Sequence, residues 1–503
     1  MTLPSSPKSF GSSVLSRQVQ WQHPKLVQSG IDQTRLAIAD APVGAEPFSF
    51  LVMGDTDAGV SGSAASDAEK SPFVEAFAQQ VQSYAQESRF VLHTGDVTYP
   101  AGTYQNYFTG FLSPYQSLLS KPPSSPAYRS GEIVFNRPLL PVPGNHDYAK
   151  PAHINRLWLA LQRRCCDLLR QRFGIDLGGY GGHGGEAYGQ TFLDDLSRLS
   201  AGDLATHLAS HYSASMSPSR ASARSLPAGP SAGFAGRERT EAQAAAYCLD
   251  YRPGQFTRLP NRYYTFHYGG IDFFALDSNT WNVAPETKGC DHEQLAWLER
   301  ELIRSWRSPD VTGRIIYLHH SPYTTESYRW QQPDTLWVRQ HLRGVFDRVA
   351  LALSEREQSV PLVDVVISGH AHCLEHMKTA QTTYADSQMD WLVCGGSGFG
   401  LRRQRRMGKD LLENVFRRGR SETDVVAESQ LYAGVHGSSR KQRKFHSFVR
   451  IDVQPHQPEK IVVCPFIVTM VDGKWQTKAL ASFAVGKPLT DYAKVKTSAR
   501  VSA

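Results

Sequence analysis

Five short stretches of this chain end in side chains that could hold a metal ion or move a proton. In order they are "GDTDAG" with Asp55 and Asp57, "GDVTY" with Asp96 and Tyr99, "GNHD" with Asn145 and His146, "HHSP" with His319 and His320, and "GHAH" with His370 and His372. Carboxylate, amide oxygen, phenol and imidazole together suit hard or borderline divalent and trivalent cations. The glycines that precede Asp55, Asp96, Asn145 and His370 let the backbone turn sharply at each group. The seven cysteines form no thiolate cluster, which argues against a structural zinc site of the Cys-rich kind. Each stretch follows an apolar run, and in open α/β sheets sites form where strands end.

The runs that must position these groups read as buried strands: "FSFLVMGD", "RFVLHTGD", "LLPVPGNHD", "RIIYLHHSPY", "VDVVISGHAH" and "MDWLVCGGSG". Between the first two, "PFVEAFAQQVQSYAQ" reads as a helix, and "CDHEQLAWLERELIRSW" as an amphipathic helix with an acidic start. In "RYYTFHYGGIDFFALDSN" two β-rich runs flank Gly269-Gly270, a hairpin signal. Late strands at "FHSFVRIDV" and "KIVVCPFIVTMV" close an α/β arrangement. Residues 1–46 lack periodicity and read as an N-terminal arm. The main domain spans 47–400, interrupted by an insertion at 150–261, and 401–503 supplies a basic segment and strands that complete the fold. Within the insertion, "INRLWLALQRRCCDLLRQRF" reads as a helix and the Ser, Ala, Pro and Gly-rich 211–238 as a mobile loop. The insertion begins just after His146, which makes it a candidate lid. The arginines from Arg402 to Arg420, interleaved with Asp410 and Glu413, read as a solvated, salt-bridged helix face.

The ordered set of strand-end groups resembles the calcineurin-like metallophosphoesterases, and within them the purple acid phosphatase branch, through Tyr99 of "GDVTY". The resemblance covers 47–148 and 263–399. It implies a four-layer α/β/β/α sandwich of two mixed sheets around two metal ions. Carried over, Asp55, Asp96, Tyr99 and His372 would hold one ion, and Asp96, Asn145, His320 and His370 the other, with Asp96 bridging. A phenolate and two carboxylates favour Fe(III) in the first place, with divalent Fe, Mn or Zn in the second; two Mn or two Zn ions are the alternative. Strand side chains alternate between faces, so His319 and His320 are not expected to reach the same metal. The family's ligand stands two positions before its proline, which selects His320 and leaves His319 to pack on the other side. Asp57 stands where most of the family has histidine and the purple branch glycine. It could bind the first metal, orient a water or a ligand histidine, or cap the turn, and the orienting role is favoured.

The activity this resemblance implies is hydrolysis of phosphate monoesters by a metal-activated water attacking in line, with His146 protonating the leaving group or stabilising the charged transition state. One alternative is a phosphodiesterase acting on nucleotides or lipid head groups. An alternative of a different class is a catalytically reduced metal-binding scaffold.

Composition sets the frame. Of 503 residues, 41% are hydrophobic and 20% charged, enough for a sizeable core. No apolar run reaches the roughly 18–20 residues of a membrane helix, so no membrane partner is expected. A net charge of +7 is mild for this length, compatible with a small phosphoester substrate, and nucleic acid is not an expected partner. The start of the chain lacks the charged-then-apolar order of a secretory signal, and the cysteines are read as reduced thiols of a cytoplasmic protein. His93, His267 and His376 are read as hydrogen-bonded packing groups, and Asp277 and Asn279 as loop caps.

Overall fold

The computed structural model describes residues 30–486, except 43, 57–71, 84–87, 122–132, 149–184, 195, 197–198, 215–246, 253, 255–257, 286–289, 354–359, 399, 418–419, 438–441 and 458–459. Asp57, the expected helix near 154–173 and nearly all of the 211–238 loop lie outside the described residues.

Two mixed sheets form the middle of the molecule. In the smaller one, the parallel strands Phe48–Met53, Ser88–His93 and Leu139–Pro141 lie side by side. His446–Val453 pairs antiparallel with Phe48–Met53, and Ile461–Val471 and Lys474–Ala479 continue outward. In the larger, eleven-stranded sheet, Ile271–Ala275, Gly313–Tyr317, Val365–Ser368 and Asp390–Cys394 run parallel. The expected hairpin is present: Tyr264–Tyr268 pairs antiparallel with Ile271–Ala275 across Gly269 and Gly270, whose φ values of 56° and 82° any side chain would resist.

Aromatic side chains join the sheets face to face. The rings of Phe50 and Phe273 lie 5.4 Å apart, Phe90 and Phe266 5.6 Å, and Phe48 and Tyr268 4.9 Å. All six are buried, at about 1.5–3 kcal/mol each for transfer from water. Helices cover the two outer faces. His292–Arg307 and Pro333–Ala352 bury Leu298, Leu302, Val338, Leu342 and Phe346 against the larger sheet. Pro72–Ser83 lies on the smaller, with Phe77 edge-on to Phe448 at 5.7 Å. The result is the α/β/β/α sandwich.

Two expectations need correction. Part of the presumed N-terminal arm is a strand: Ile31–Ile38 lies inside the larger sheet, between Tyr264–Tyr268 and Tyr247–Tyr251. Its register shifts between Asp32 and Leu36, so buried positions fall at 31, 33, 36 and 38 and the period of two is broken. The basic stretch is not a helix face. Residues 401–406 form a strap and Asp410–Arg417 pairs with Arg420–Ala433 as a long hairpin. Glu413 of this hairpin is held by the buried Arg339 and by Arg343, both lying over the Tyr323 ring.

Among the described residues, no helix is long and apolar enough to cross a membrane, and Cys248, Cys290, Cys373, Cys394 and Cys464 are free thiols.

Candidate metal centre

Three parallel strands of the smaller sheet and two of the larger end at the same place, and each delivers a polar group there. Met53 leads to Asp55, His93 to Asp96, and Pro141 to Asn145; Tyr317 leads to His319 and Ser368 to His370. The turns are tight enough to force Asp55, Asp96 and His370 to φ values of 54°, 51° and 66°. Non-glycine residues in this left-handed region cost of order 1 kcal/mol or more each, and such strain collects at functional sites. The flanking glycines permit the crowding: a Cβ on Gly144 would press into Asp96, and one on Gly369 into Asp55.

Asp96 is the hub. Its Oδ2 lies 2.9 Å from the Tyr99 hydroxyl and 3.5 Å from His319 Nε2, while Oδ1 accepts the His146 N–H at 2.8 Å. On one side, the Tyr99 hydroxyl also lies 3.0 Å from Asp55 Oδ1 and 3.2 Å from His372 Nε2. On the other, His319 Nε2 lies 2.9 Å from Asn145 Oδ1 and 3.1 Å from His370 Nδ1. The groups Asp55–Asp96–His319 and His319–His320–His370 each bring their ligand atoms within 4.8 Å of one another.

This donor set fits a pair of cations. The Tyr99 phenol has one proton for two buried carboxylate oxygens and an imidazole nitrogen, so acceptor atoms face each other with too few protons between them. Burial first, and then the charge of Asp96, pushes the Asp55 carboxyl well above its usual range. Burial likewise lowers the pKa of His319, His320 and His370, which leaves neutral imidazoles, the form that ligates. The outward nitrogens are tied down: His319 Nδ1 faces the Thr94 carbonyl at 2.9 Å, His372 Nδ1 the Gly400 carbonyl at 2.9 Å, and His370 Nε2 faces Asp334 Oδ2 at 2.9 Å. Such partners fix the tautomer and aim the other nitrogen at the centre.

Six of the seven expected ligands, Asp55, Asp96, Tyr99, Asn145, His370 and His372, are brought together. The histidine pair differs from expectation. His319 is in the centre, not on its far side. The strand ends at Tyr317, so the alternation that separates neighbouring side chains no longer applies at His319 and His320. His320 also borders the group, its ring 4.4 Å from that of His370, but its Nδ1 lies 2.8 Å from Ser278 Oγ and its Nε2 3.1 Å from Asn282 Nδ2. The His146 ring packs against Tyr99 with centroids 4.3 Å apart and the planes tilted by 40°, and its Nδ1 faces the Pro100 carbonyl at 2.8 Å. A donating Nδ1–H leaves Nε2 as the nitrogen that exchanges protons.

His93 meets Thr56, His267 meets Asp272, and His376 meets Asp390, each within 3.0 Å. Asp277 caps the turn Ser278–Trp281, accepting the Asn279 N–H, and is also ion-paired with the buried Arg262 at 2.7 Å. Asp147 escaped the sequence reading although it stands in "GNHD". It accepts the Gly144 N–H at 2.8 Å, the Val97 N–H at 3.1 Å and the Tyr107 hydroxyl at 2.6 Å, clamping two of the ligand loops together. Burial, then Asp96, pushes its carboxyl up to about 7. Arg329 and Asp334 were missed because only the fold brings them to His370.

No protein-family model matches the chain, and no curated protein matches it. Among solved structures, the chain is similar to GAP50, described as the anchor in the inner membrane complex of Plasmodium, at 12% identity and a TM-score of 0.40, over 88% of this chain and 89% of that one. It is similar to the purple acid phosphatase PPD1 from yellow lupin seeds at 14% identity and a TM-score of 0.45, over 91% of this chain and 57% of that one. It is similar to PhoD at 14% identity and a TM-score of 0.38, over 90% and 73%.

Proposed function

We propose that the chain is a metallophosphoesterase of the calcineurin-like kind that hydrolyses phosphate monoesters at a two-metal centre. The observation that carries this reading is the position of Asp96, one carboxylate set between a Tyr99–Asp55–His372 group and an Asn145–His319–His370 group. In this assignment Asp55, Asp96, Tyr99 and His372 hold one ion, and Asp96, Asn145, His319 and His370 the other. His319 takes the place first given to His320, because the ring nitrogens of His320 are engaged by Ser278 and Asn282.

When bound, the two ions would supply an acidified water and neutralise charge on the phosphoryl oxygens. The chain's residues do the rest. Asp96 fixes the spacing of the two halves. The Thr94 and Gly400 carbonyls hold His319 and His372 in the tautomer that points Nε2 inward. His146, its Nδ1 anchored on the Pro100 carbonyl, carries a proton on Nε2 to the departing oxygen. The five free thiols among the described residues are in keeping with a cytoplasmic setting.

The testing experiment compares hydrolysis of p-nitrophenyl phosphate and bis(p-nitrophenyl) phosphate by the freshly purified, chelated and metal-restored protein. Metal-dependent turnover favouring the monoester is expected. Faster diester turnover would shift the reading to a phosphodiesterase, and no turnover despite two bound ions would make the chain a scaffold. The histidine pair offers a sharper contrast. His319→Ala is expected to lose bound metal, with affinity down about 10- to 100-fold or more, while His320→Ala keeps both ions; elemental analysis of the two variants reads the difference. The reverse outcome would restore His320 as the ligand.

Metal identity follows from Tyr99. A phenolate beside two carboxylates favours Fe(III), with divalent Fe, Mn or Zn in the second place. A visible charge-transfer band that vanishes in Tyr99→Phe is the expected signature. A colourless protein with two Mn or Zn ions would contradict the iron assignment and leave the hydrolase reading standing.

A further inference from the structure

The helix Ala201–His211 carries a second set of metal-competent groups, apart from the strand ends. Leu204 and Leu208 pack on the core, and His207 and His211 complete the same i, i+3, i+4, i+7 stripe. Two partly buried imidazoles thus stand one turn apart on a single helix face, with ring centroids 4.6 Å apart. Histidines at i and i+4 of a helix are spaced to grip one transition-metal ion between them. A carboxylate joins them. Asp194 is 6% exposed, and its Oδ2 lies 2.9 Å from His207 Nε2. The Tyr212 hydroxyl donates to the same oxygen at 2.8 Å. The backbone N–H of Asp194 is bonded to the Leu259 carbonyl at 3.0 Å, which fixes where the carboxylate is presented.

The surroundings favour a cation here. Both rings lie toward the C-terminal end of the helix, where the last carbonyls carry partial negative charge. Burial first, and then His207, lowers the pKa of His211, which keeps that imidazole in its neutral, ligating form. The nearby cation Arg252 is drawn to Asp250, at 3.3 Å. Two imidazole nitrogens and one carboxylate oxygen are donors that Zn, Cu and Ni ions take readily. We propose that His207, His211 and Asp194 form a further site for a zinc-like divalent cation, which pins the helix Ala201–His211 to the chain at Asp194. On binding, the ion replaces the hydrogen bond between His207 Nε2 and Asp194 Oδ2, and the neutral His207 ring carries its proton on Nδ1. Tyr212 keeps its bond to the carboxylate and orients it. This site shares no residue with the strand-end centre, so it does not depend on the hydrolase reading.

The test uses the full chain, metal-restored, and the variants His207→Gln, His211→Gln and Asp194→Asn, with Zn²⁺ and Cu²⁺ as probes. Zinc is titrated against a competing chelator, and ion content is read by elemental analysis. The parent is expected to take up one more zinc ion per chain than either histidine variant. Affinity for that ion should fall in each of the three variants by at least the roughly 10- to 100-fold that loss of an outer partner alone costs. One added equivalent of Cu²⁺ should show electron-spin coupling to two imidazole nitrogens in the parent and to one in either histidine variant. Zinc should also slow amide exchange across the helix Ala201–His211 in the parent and not in His211→Gln. Equal zinc uptake by the parent and a folded His211→Gln would overturn the proposal, and parental affinity in Asp194→Asn would remove the carboxylate from the site. Should the substitutions unfold the helix, the parent's copper spectrum decides alone, and copper without paired imidazole nitrogens would overturn the site. Zinc uptake that leaves amide exchange unchanged would overturn the pinning role.

Discussion

Asp96→Asn is expected to release both metal ions and to lower phosphomonoester turnover on the order of 10³-fold or more. The substitution keeps the size of the side chain and an oxygen that can still accept the His146 N–H, now at 2.8 Å, so the loop after Ser88–His93 has no reason to refold. What disappears is the charge that the Tyr99–Asp55–His372 and Asn145–His319–His370 groups share. The same substitution should not harm the metal-free protein. Asp96 is the charge that, after burial itself, drives the Asp55 carboxyl out of its usual range, and two buried like charges repel. The metal-free variant is therefore expected to unfold at or above the midpoint of the metal-free parent, while the metal-loaded parent stays above both. Elemental analysis and thermal unfolding of the parent and variant, each with and without chelation, read both effects. An Asp96→Asn protein that still holds two ions would remove Asp96 from the bridging position.

His146→Ala is expected to leave metal content at the parental level and to lower turnover about 10²- to 10⁴-fold, the range for loss of a general acid. The ring is packed on Tyr99 and anchored through Nδ1, so its removal takes away a proton carrier and not a ligand. The size of the loss should depend on the leaving group. An alkyl phosphate, whose alkoxide needs a proton, should suffer the full loss, and p-nitrophenyl phosphate much less. Steady-state rates on the two esters, with elemental analysis of the same samples, check this. Loss of an ion in the variant, or equal losses on both esters, would contradict the assignment.

Most of the centre was legible because sequence and sheet geometry agree there. An apolar run, a glycine and then a polar side chain mark the end of a buried strand, and Asp55, Asp96, Asn145 and His370 all follow that rule. Four things were not legible, each for a different physical reason. Alternation assigns His319 and His320 to opposite faces only while the strand continues, and it stops at Tyr317. The strand Ile31–Ile38 hides its period behind a register shift. Interleaved charges between 402 and 420 do not by themselves tell a helix face from the hairpin that Asp410–Arg417 forms with Arg420–Ala433. Arg329 and Asp334 stand for a fourth class. Nothing local marks them, and their bearing on the centre arises when the helix Pro333–Ala352 starts beside His370. Asp57, whose residue type fits neither branch of the family it resembles, lies outside the described residues.

In the proposed centre one shared carboxylate, that of Asp96, separates two ions. A crystal structure of the protein as purified, with anomalous difference maps collected at the iron, manganese and zinc edges, tests it directly. Two peaks are expected about 3.5–4 Å apart on either side of Asp96, one against Asp55, Tyr99 and His372, the other against Asn145, His319 and His370. A single peak, a peak ligated by His320 in place of His319, or no peak at Asp96 would contradict it.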